Sequence, residues 1–201
     1  MLFAGIIHDL VSFLPWSKLK EQKNVIREIY EQRRRIYDPS QAQTDSQTLV
    51  ERICQLPQFQ NARTIMLYEP IHNEVNLQGI LDRYKDEKTL LLPVTHHHSL
   101  TVHPYTGEEN LQRGKYHIFE PTTPPYEGPI DLIIVPGVAF DHKLHRLGRG
   151  GGYYDKFLRK QHHAFKLGVG FDFQLYKKEL PHSLLDTKLD AIITCTTSIG
   201  C

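Results

Sequence analysis

Five short apolar runs most constrain the fold: Thr64–Tyr68, Thr89–Pro93, Asp131–Val135, Lys166–Phe171 and Asp190–Thr194. Each is the length of a buried strand and too short for an amphipathic helix, and Asp131-Leu-Ile-Ile-Val135 is the most strand-like. Helical patterns separate them. Lys18–Tyr37 carries Val25, Ile26, Ile29 and Tyr30 at helix spacing, and Pro39 ends it. Gln41–Leu56 follows and stops at Pro57; Leu77–Tyr84 and a segment from about Tyr153 to Gln161 complete the set. This alternation predicts an α/β fold, a mostly parallel central sheet flanked by helices on both faces. Leu100–Tyr105 fits an edge strand, and the proline-rich stretch 121–129 fits a surface loop. No repeat or linker divides residues 17–201, which are expected to form a single domain.

Charge and composition exclude several classes. Lys and Arg number 24 against 23 Asp and Glu, a net charge of +1, so no global attraction to nucleic acid or to an anionic membrane is expected. No apolar run approaches the roughly 18 residues of a membrane span. Cys54, Cys195 and Cys201 form no CxxC pair, which fits a reducing cytoplasm rather than a disulfide framework. The apolar start, residues 1–16, lacks a basic leader and carries Asp9. It is expected to be a helical extension packing on the body rather than a targeting signal.

The densest chemistry lies in Arg146-Leu-Gly-Arg-Gly-Gly-Gly-Tyr-Tyr-Asp155. Glycine loses the most backbone entropy on folding, so four in five positions imply close backbone approach or positive φ. A strand–loop–helix order would aim backbone N–H groups at one point, which suits a phosphate. Arg146 and Arg149 add charge with bidentate geometry. Asp155 falls in the first helical turn, where it can hold Mg2+. No Gly-Lys-Ser/Thr follows, and Tyr153 stands where a dinucleotide loop has its third glycine.

Together with Val135-Pro-Gly-Val-Ala-Phe-Asp141, this block resembles the signature of the 5-formyltetrahydrofolate cyclo-ligase family, also called methenyltetrahydrofolate synthetases. The resemblance runs from about Leu19 to Thr194. It takes in a basic first helix, Asn73-Glu74-Val75 after the first strand, Gly114-Lys-Tyr-His-Ile-Phe-Glu-Pro121, and Asp186 ahead of the last strand. The family carries Gly at the position of Leu144, so the turn before Arg146 is expected to differ in shape. Residues 1–16 have no counterpart.

The resemblance implies a Rossmann-like, three-layer, CoA-transferase-like architecture. It also implies ATP-dependent closure of 5-formyltetrahydrofolate to 5,10-methenyltetrahydrofolate, with ADP and phosphate released and Mg2+ required. Lys23 and Arg27 match the first-helix residues that hold ATP phosphates. Helix geometry agrees, because Lys23, Arg27 and Arg34 fall within about 40° of one another. Arg33 and Arg35 diverge from that stripe, and Arg34 fits either a solvated face or the phosphate stripe. Arg146, Leu147, Gly148, Arg149, Gly150, Gly151, Gly152, Tyr153 and Tyr154 would cradle the triphosphate. Arg149 would neutralise the transferring phosphoryl group. Asp155 and Asp186 match the magnesium carboxylates, although Asp186 by itself looks like an ordinary capping acid. Glu74, a surface turn residue by sequence alone, matches the folate-contacting glutamate. Tyr68 and Glu69 would line the same pocket, Tyr153 would face the formyl group, and Tyr116 would lie against the folate.

Other constellations carry less. Adjacent side chains of His96-His97-His98 diverge on extended backbone, so with His103 they fit a polar loop better than a metal site. His162-His163 suit a helix C-terminus. Two further readings stay open: another ATP-dependent ligase or kinase on this scaffold, and a non-catalytic folate- or nucleic-acid-binding module using Arg33-Arg34-Arg35. Nothing suggests an association helix, so a monomer is expected.

Overall fold

The computed structural model describes residues 16–71, 73–96, 99–114 and 119–201. Its helices are α1 (Trp16–Ile36), α2 (Pro39–Gln55), α3 (Pro57–Asn61), α4 (Gln78–Tyr84) and α5 (Tyr153–Leu158). Its strands are β1 (Thr64–Met66), β2 (Thr89–Thr95), β3 (Leu100–Pro104), β4 (Leu111–Arg113), β5 (Phe119–Pro121) and β6 (Leu132–Val135), then β7 (Ala139–Asp141), β8 (Arg146–Leu147), β9 (Phe165–Val169), β10 (Leu175–Tyr176), β11 (Ala191–Ile193) and β12 (Ser198–Ile199). The expected extension at 1–16 lies outside the described residues except for Trp16, which opens α1.

The main sheet runs β12-β11-β9-β6-β1-β2-β3. β2, β1, β6, β9 and β11 are parallel neighbours, whereas the edges β3 and β12 pair antiparallel. The expected edge strand at Leu100 is therefore present. Parallel strands are covered on both faces, which is why these runs are apolar throughout rather than alternating. Ile65, Leu90, Leu132 and Leu167 point to the side of α2, α3 and α4, where they meet Leu49, Ile53, Phe59 and Ile80. Met66, Leu91, Ile133 and Ile192 point the other way, onto Leu158 of α5. Each such fully buried side chain contributes roughly 2 kcal/mol by removing apolar surface from water.

Prolines act as helix starts here as much as stops. Pro39 opens α2, with the Asp38 carboxylate accepting from the Gln41 N–H at 2.8 Å, and Pro57 opens α3. α5 ends at Leu158, short of the expected Gln161, which leaves His162 and His163 in the bend before β9 rather than at a helix terminus. Pro121 closes β5 instead of opening the loop. His96 sits in the β2–β3 turn, and its N–H donates to the Ser99 carbonyl; His97 and His98 lie outside the described residues. His103 is buried, bonded through its ring nitrogens to Thr101 Oγ1 and the Thr123 carbonyl.

A small second sheet, β10-β7-β8, stands against α1. Ile26 and Tyr30 pack on Val138, Ala139, Leu147, Leu180 and Tyr176. The expected apolar stripe of α1 is thus only half right. Val25 and Ile29 are 54% and 45% exposed, and the inward face continues through charged residues instead. Leu144 before β8 takes φ +68°, so the turn adopts a glycine-like conformation in spite of its side chain. Among the described residues no helix is long and apolar enough to cross a membrane.

Candidate active site

β1 leads to β2 on one side, whereas β6, β9 and β11 build the other side. The carboxyl ends of β1 and β6 therefore flank the topological switch point, where open α/β sheets leave a crevice. A cleft of about 950 Å³ opens there. Tyr68 and Glu69 reach it from beyond β1, Pro136 and Gly137 from beyond β6. α1 closes one wall, the glycine loop another, and Ser183–Asp186 a third.

The loop Gly148–Gly152 joins β8 to α5; the strand directly ahead of it is β8, not the Asp131–Val135 strand that the sequence places before the loop. Gly150 has φ +102° and Gly152 φ +69°, backbone that L residues rarely adopt. α5 has only six residues, so its dipole adds little. Positive charge in the loop comes from its arginines. Arg146 is buried: Nη2 donates to Asp155 Oδ1 at 2.9 Å, Nη1 donates to the Pro136 carbonyl at 3.3 Å, and the guanidinium lies 5.5 Å above the Tyr154 ring. Its buried Nε has no hydrogen-bond partner among the described residues.

Of the charged stripe predicted along α1 from helix geometry, Lys23 and Arg27 line the cleft and Arg34 lies buried behind it. Lys23 Nζ meets Asp186 Oδ2 at 2.5 Å. Arg27 Nε donates to the Gly148 carbonyl at 2.8 Å, and its guanidinium feels the charges of both Asp186 and Asp155 while burial lowers its pKa. Arg34 is 1% exposed; it donates to Glu74 Oε1 at 3.1 Å and to the Gly137 carbonyl at 2.8 Å. This resolves its two readings in favour of neither: it supports Glu74 from below. Arg33 is exposed, over the ring of Tyr30, and Arg35 is exposed.

Glu74 is not a surface turn residue. Its side chain is 8% exposed, with Oε1 accepting from Arg34 and Arg149 and Oε2 from the Ile71 N–H at 3.1 Å. Arg149 also pairs with Glu31 at 3.0 Å, a partner the sequence did not suggest. Burial raises the pKa of Glu69. The Tyr68 and Tyr154 hydroxyls are likewise pushed up, by burial first and then by the Glu74 carboxylate. The Tyr68 hydroxyl donates to the Val75 carbonyl at 3.0 Å, bracing the turn that carries Glu74.

The two candidate metal ligands are anchored in the same manner. The described bonds to the Asp155 carboxylate fall on Oδ1, from Arg146 and from the Thr187 N–H at 3.3 Å. Those to Asp186 fall on Oδ2, from Lys23 and from the Ser183 N–H and hydroxyl at 2.6 and 3.1 Å. Asp186 thus performs the capping expected of an ordinary loop acid, and it also lines the cleft. Burial opposes ionisation of Asp186, but the bonds from Lys23 and Ser183 outweigh it and its pKa is lowered. Lys23, Arg27, Tyr68, Glu69, Glu74, residues 146–155 and Asp186 all line this one cleft. Tyr116 lies outside the described residues.

A basic glycine loop and two carboxylates at the switch point of a parallel sheet define an α/β enzyme of the nucleotide-using kind. Residues 19–195 match the family model described as "5-formyltetrahydrofolate cyclo-ligase family", and the chain belongs to that family. It is 32% identical over 176 residues to the 5-formyltetrahydrofolate cyclo-ligase of Escherichia coli K12, covering 81% of this chain and 94% of the relative. It is 31% identical to the probable 5-formyltetrahydrofolate cyclo-ligase of Schizosaccharomyces pombe, over 75% of this chain and 84% of the relative. The NMR structure of Aquifex aeolicus 5,10-methenyltetrahydrofolate synthetase superposes with a TM-score of 0.79 at 30% identity, covering 88% of this chain and 91% of that one.

Proposed function

We propose that this cleft converts 5-formyltetrahydrofolate and ATP to 5,10-methenyltetrahydrofolate, ADP and phosphate. The observation that carries the reading is the meeting of Arg149 and Glu74 at 3.0 Å, which puts a phosphate-suited loop beside a carboxylate suited to the paired N–H edge of a pterin. An N-formyl group is an amide and a poor electrophile. Transfer of the γ-phosphoryl group to the formyl oxygen forms an O–P bond and breaks the P–O bond to ADP. The N10 amine then attacks the formyl carbon, phosphate leaves with the C–O bond, and the N10 proton passes to solvent. The nucleophile is tethered in the substrate, so the protein contributes positioning and charge stabilisation.

Lys23, Arg27, Arg146 and the loop through Tyr154 hold the triphosphate. The unpartnered Arg146 Nε is a donor waiting for an anionic oxygen. Arg149, the more exposed arginine of the loop, turns from its carboxylates to the transferring phosphoryl group. Tyr68, Glu69 and Glu74 form the folate side, to which the family resemblance adds Tyr116. Tyr153 lies between the two sides, donating to the formyl oxygen or packing on the ring.

The donor set fits Mg2+: each of Asp155 and Asp186 has one oxygen fixed by a cation and a backbone N–H and a second oxygen left for a hard ion. When bound, that ion supplies charge neutralisation to the phosphates. Three free cysteines favour a reducing cytoplasm.

The test is absorbance of the methenyl product. It should grow only when 5-formyltetrahydrofolate, ATP and Mg2+ are all present. ADP formation that does not depend on the folate would instead favour another ATP-dependent ligase or kinase on this scaffold.

A further inference from the structure

Outside the cleft, one cluster of metal-ligating side chains stands out on the small sheet. His145 lies between β7 and β8, and Glu179 and His182 lie in the segment that runs from β10 to Asp186. One ligand atom from each falls within 4.8 Å of the others. None of the three lines the cleft.

His145 is 5% exposed and oriented from behind. Its Nδ1 lies 3.0 Å from Asp141 Oδ2, and Asp141 is fully buried. Asp141 also accepts from the N–H groups of Lys143, His145 and Leu180. With three backbone N–H groups donating to it, the Asp141 carboxyl serves here as an acceptor. A carboxylate only accepts, so Nδ1–H donates to it, and in that tautomer Nε2 carries the lone pair. That Nε2 is buried and has no hydrogen-bond partner among the described residues. An unsatisfied buried acceptor is costly, and a carboxylate behind a histidine is the arrangement that orients metal ligands. His182 Nδ1 lies 3.1 Å from the Leu180 carbonyl and 3.8 Å from Glu179 Oε1.

We infer that His145, Glu179 and His182 form a second metal site, taking one zinc-class divalent ion through two imidazoles and one carboxylate. Two nitrogens and one oxygen suit zinc or a neighbouring late transition ion better than Mg2+. Bonds near 2.1 Å place tetrahedral ligands about 3.4 Å apart, so the cluster must contract. The His182 and Glu179 side chains are 31% and 37% exposed, so water can complete the shell from that side. The His145 and His182 rings stack at 3.9 Å with planes 14° apart, so His182 turns out of the stack as the ion enters. Such an ion would clamp the segment leading to Ser183 and Asp186 onto the strand that begins with Arg146. The site would therefore brace two walls of the cleft without taking part in the chemistry.

The test uses the full chain, stripped with chelator and kept in saturating Mg2+ so that the cleft carboxylates are filled. Co2+ is titrated and followed by visible absorption, and melting is followed with and without Zn2+. The expected result is one Co2+ per chain with the spectrum of a nitrogen-rich, low-coordinate site, and a higher melting temperature with Zn2+. His182→Gln and Glu179→Gln should each weaken Co2+ binding at least about tenfold and remove the Zn2+ shift. A variant with His96, His97 and His98 replaced by Gln should bind as the parent does. No Co2+ uptake, unchanged affinity in His182→Gln, or binding lost with the His96–His98 replacement would each overturn the inference.

Discussion

Nη2 of Arg149 lies 3.0 Å from Oε1 of Glu74, joining the glycine loop to the turn beyond β1 across the mouth of the cleft. The two partners differ in what holds them. Glu74 is 8% exposed and stays bound to Arg34, whereas Arg149 is 38% exposed and rests between Glu74 and Glu31. A half-exposed pair of this sort is worth at most about 1 kcal/mol. A polyphosphate carries more charge than either carboxylate, so the arginine can leave while the glutamate remains in place.

Arg149→Ala should therefore remove catalysis and leave the fold. We expect kcat/KM to fall by about 10³ and the unfolding free energy in urea to change by less than about 1 kcal/mol. Turnover at the parent rate would remove Arg149 from the phosphoryl-transfer role.

For Glu74 the informative change is Glu74→Gln, which keeps the shape and an acceptor for Arg34. Calorimetry should show folate affinity falling at least about tenfold and ATP affinity by less than about threefold. Equal losses for both ligands would place Glu74 outside the folate pocket. Glu74→Ala should in addition destabilise the chain by about 3 kcal/mol, because it strands the buried Arg34 charge.

Asp186→Asn tests the metal role more cleanly than a change at Asp155, whose carboxylate also anchors buried Arg146. The Mg2+ concentration for half-maximal rate should rise about tenfold, with folate binding unchanged. An unaltered Mg2+ titration would leave Asp186 with only its link to Lys23.

Asp141→Asn should be severe although Asp141 lies outside the cleft. Both oxygens of Asp141 accept two bonds, and an amide nitrogen would turn a donor toward other donors. A loss of about 3 kcal/mol is expected at neutral pH. Its folded pKa is below the ordinary 3.8, so the stabilisation is complete above that value and disappears as pH falls through the folded pKa. Urea midpoints of parent and variant should therefore differ most above about pH 5 and converge in stronger acid. A gap independent of pH would show that ionisation of Asp141 is not what matters.

Much of the architecture was legible in the sequence because it is locally encoded. Strands buried on two faces must be apolar throughout, so the core of the parallel sheet announced itself. The glycine loop was equally plain, since positive φ at Gly150 and Gly152 leaves few other residues to choose. β7, β8, β10 and β12 were missed because strands of two or three residues carry no periodicity. The charged stripe Lys23, Arg27 and Arg34 followed from helix geometry, but the helix's exposed apolar residues, Val25 and Ile29, pointed to the wrong inward face.

The order of elements, the phosphate-suited loop and the identities of the cleft's charged side chains were thus set by local pattern: backbone freedom, periodicity and charge act over a few residues. Which charge meets which was decided only by the fold. Arg34 and Glu74 are forty positions apart, Lys23 and Asp186 one hundred and sixty-three, and His145 gained its buried, unsatisfied nitrogen from a carboxylate and a distant loop. Burial and pairing depend on what chain packing brings near and what water it removes, and no short stretch of sequence carries either.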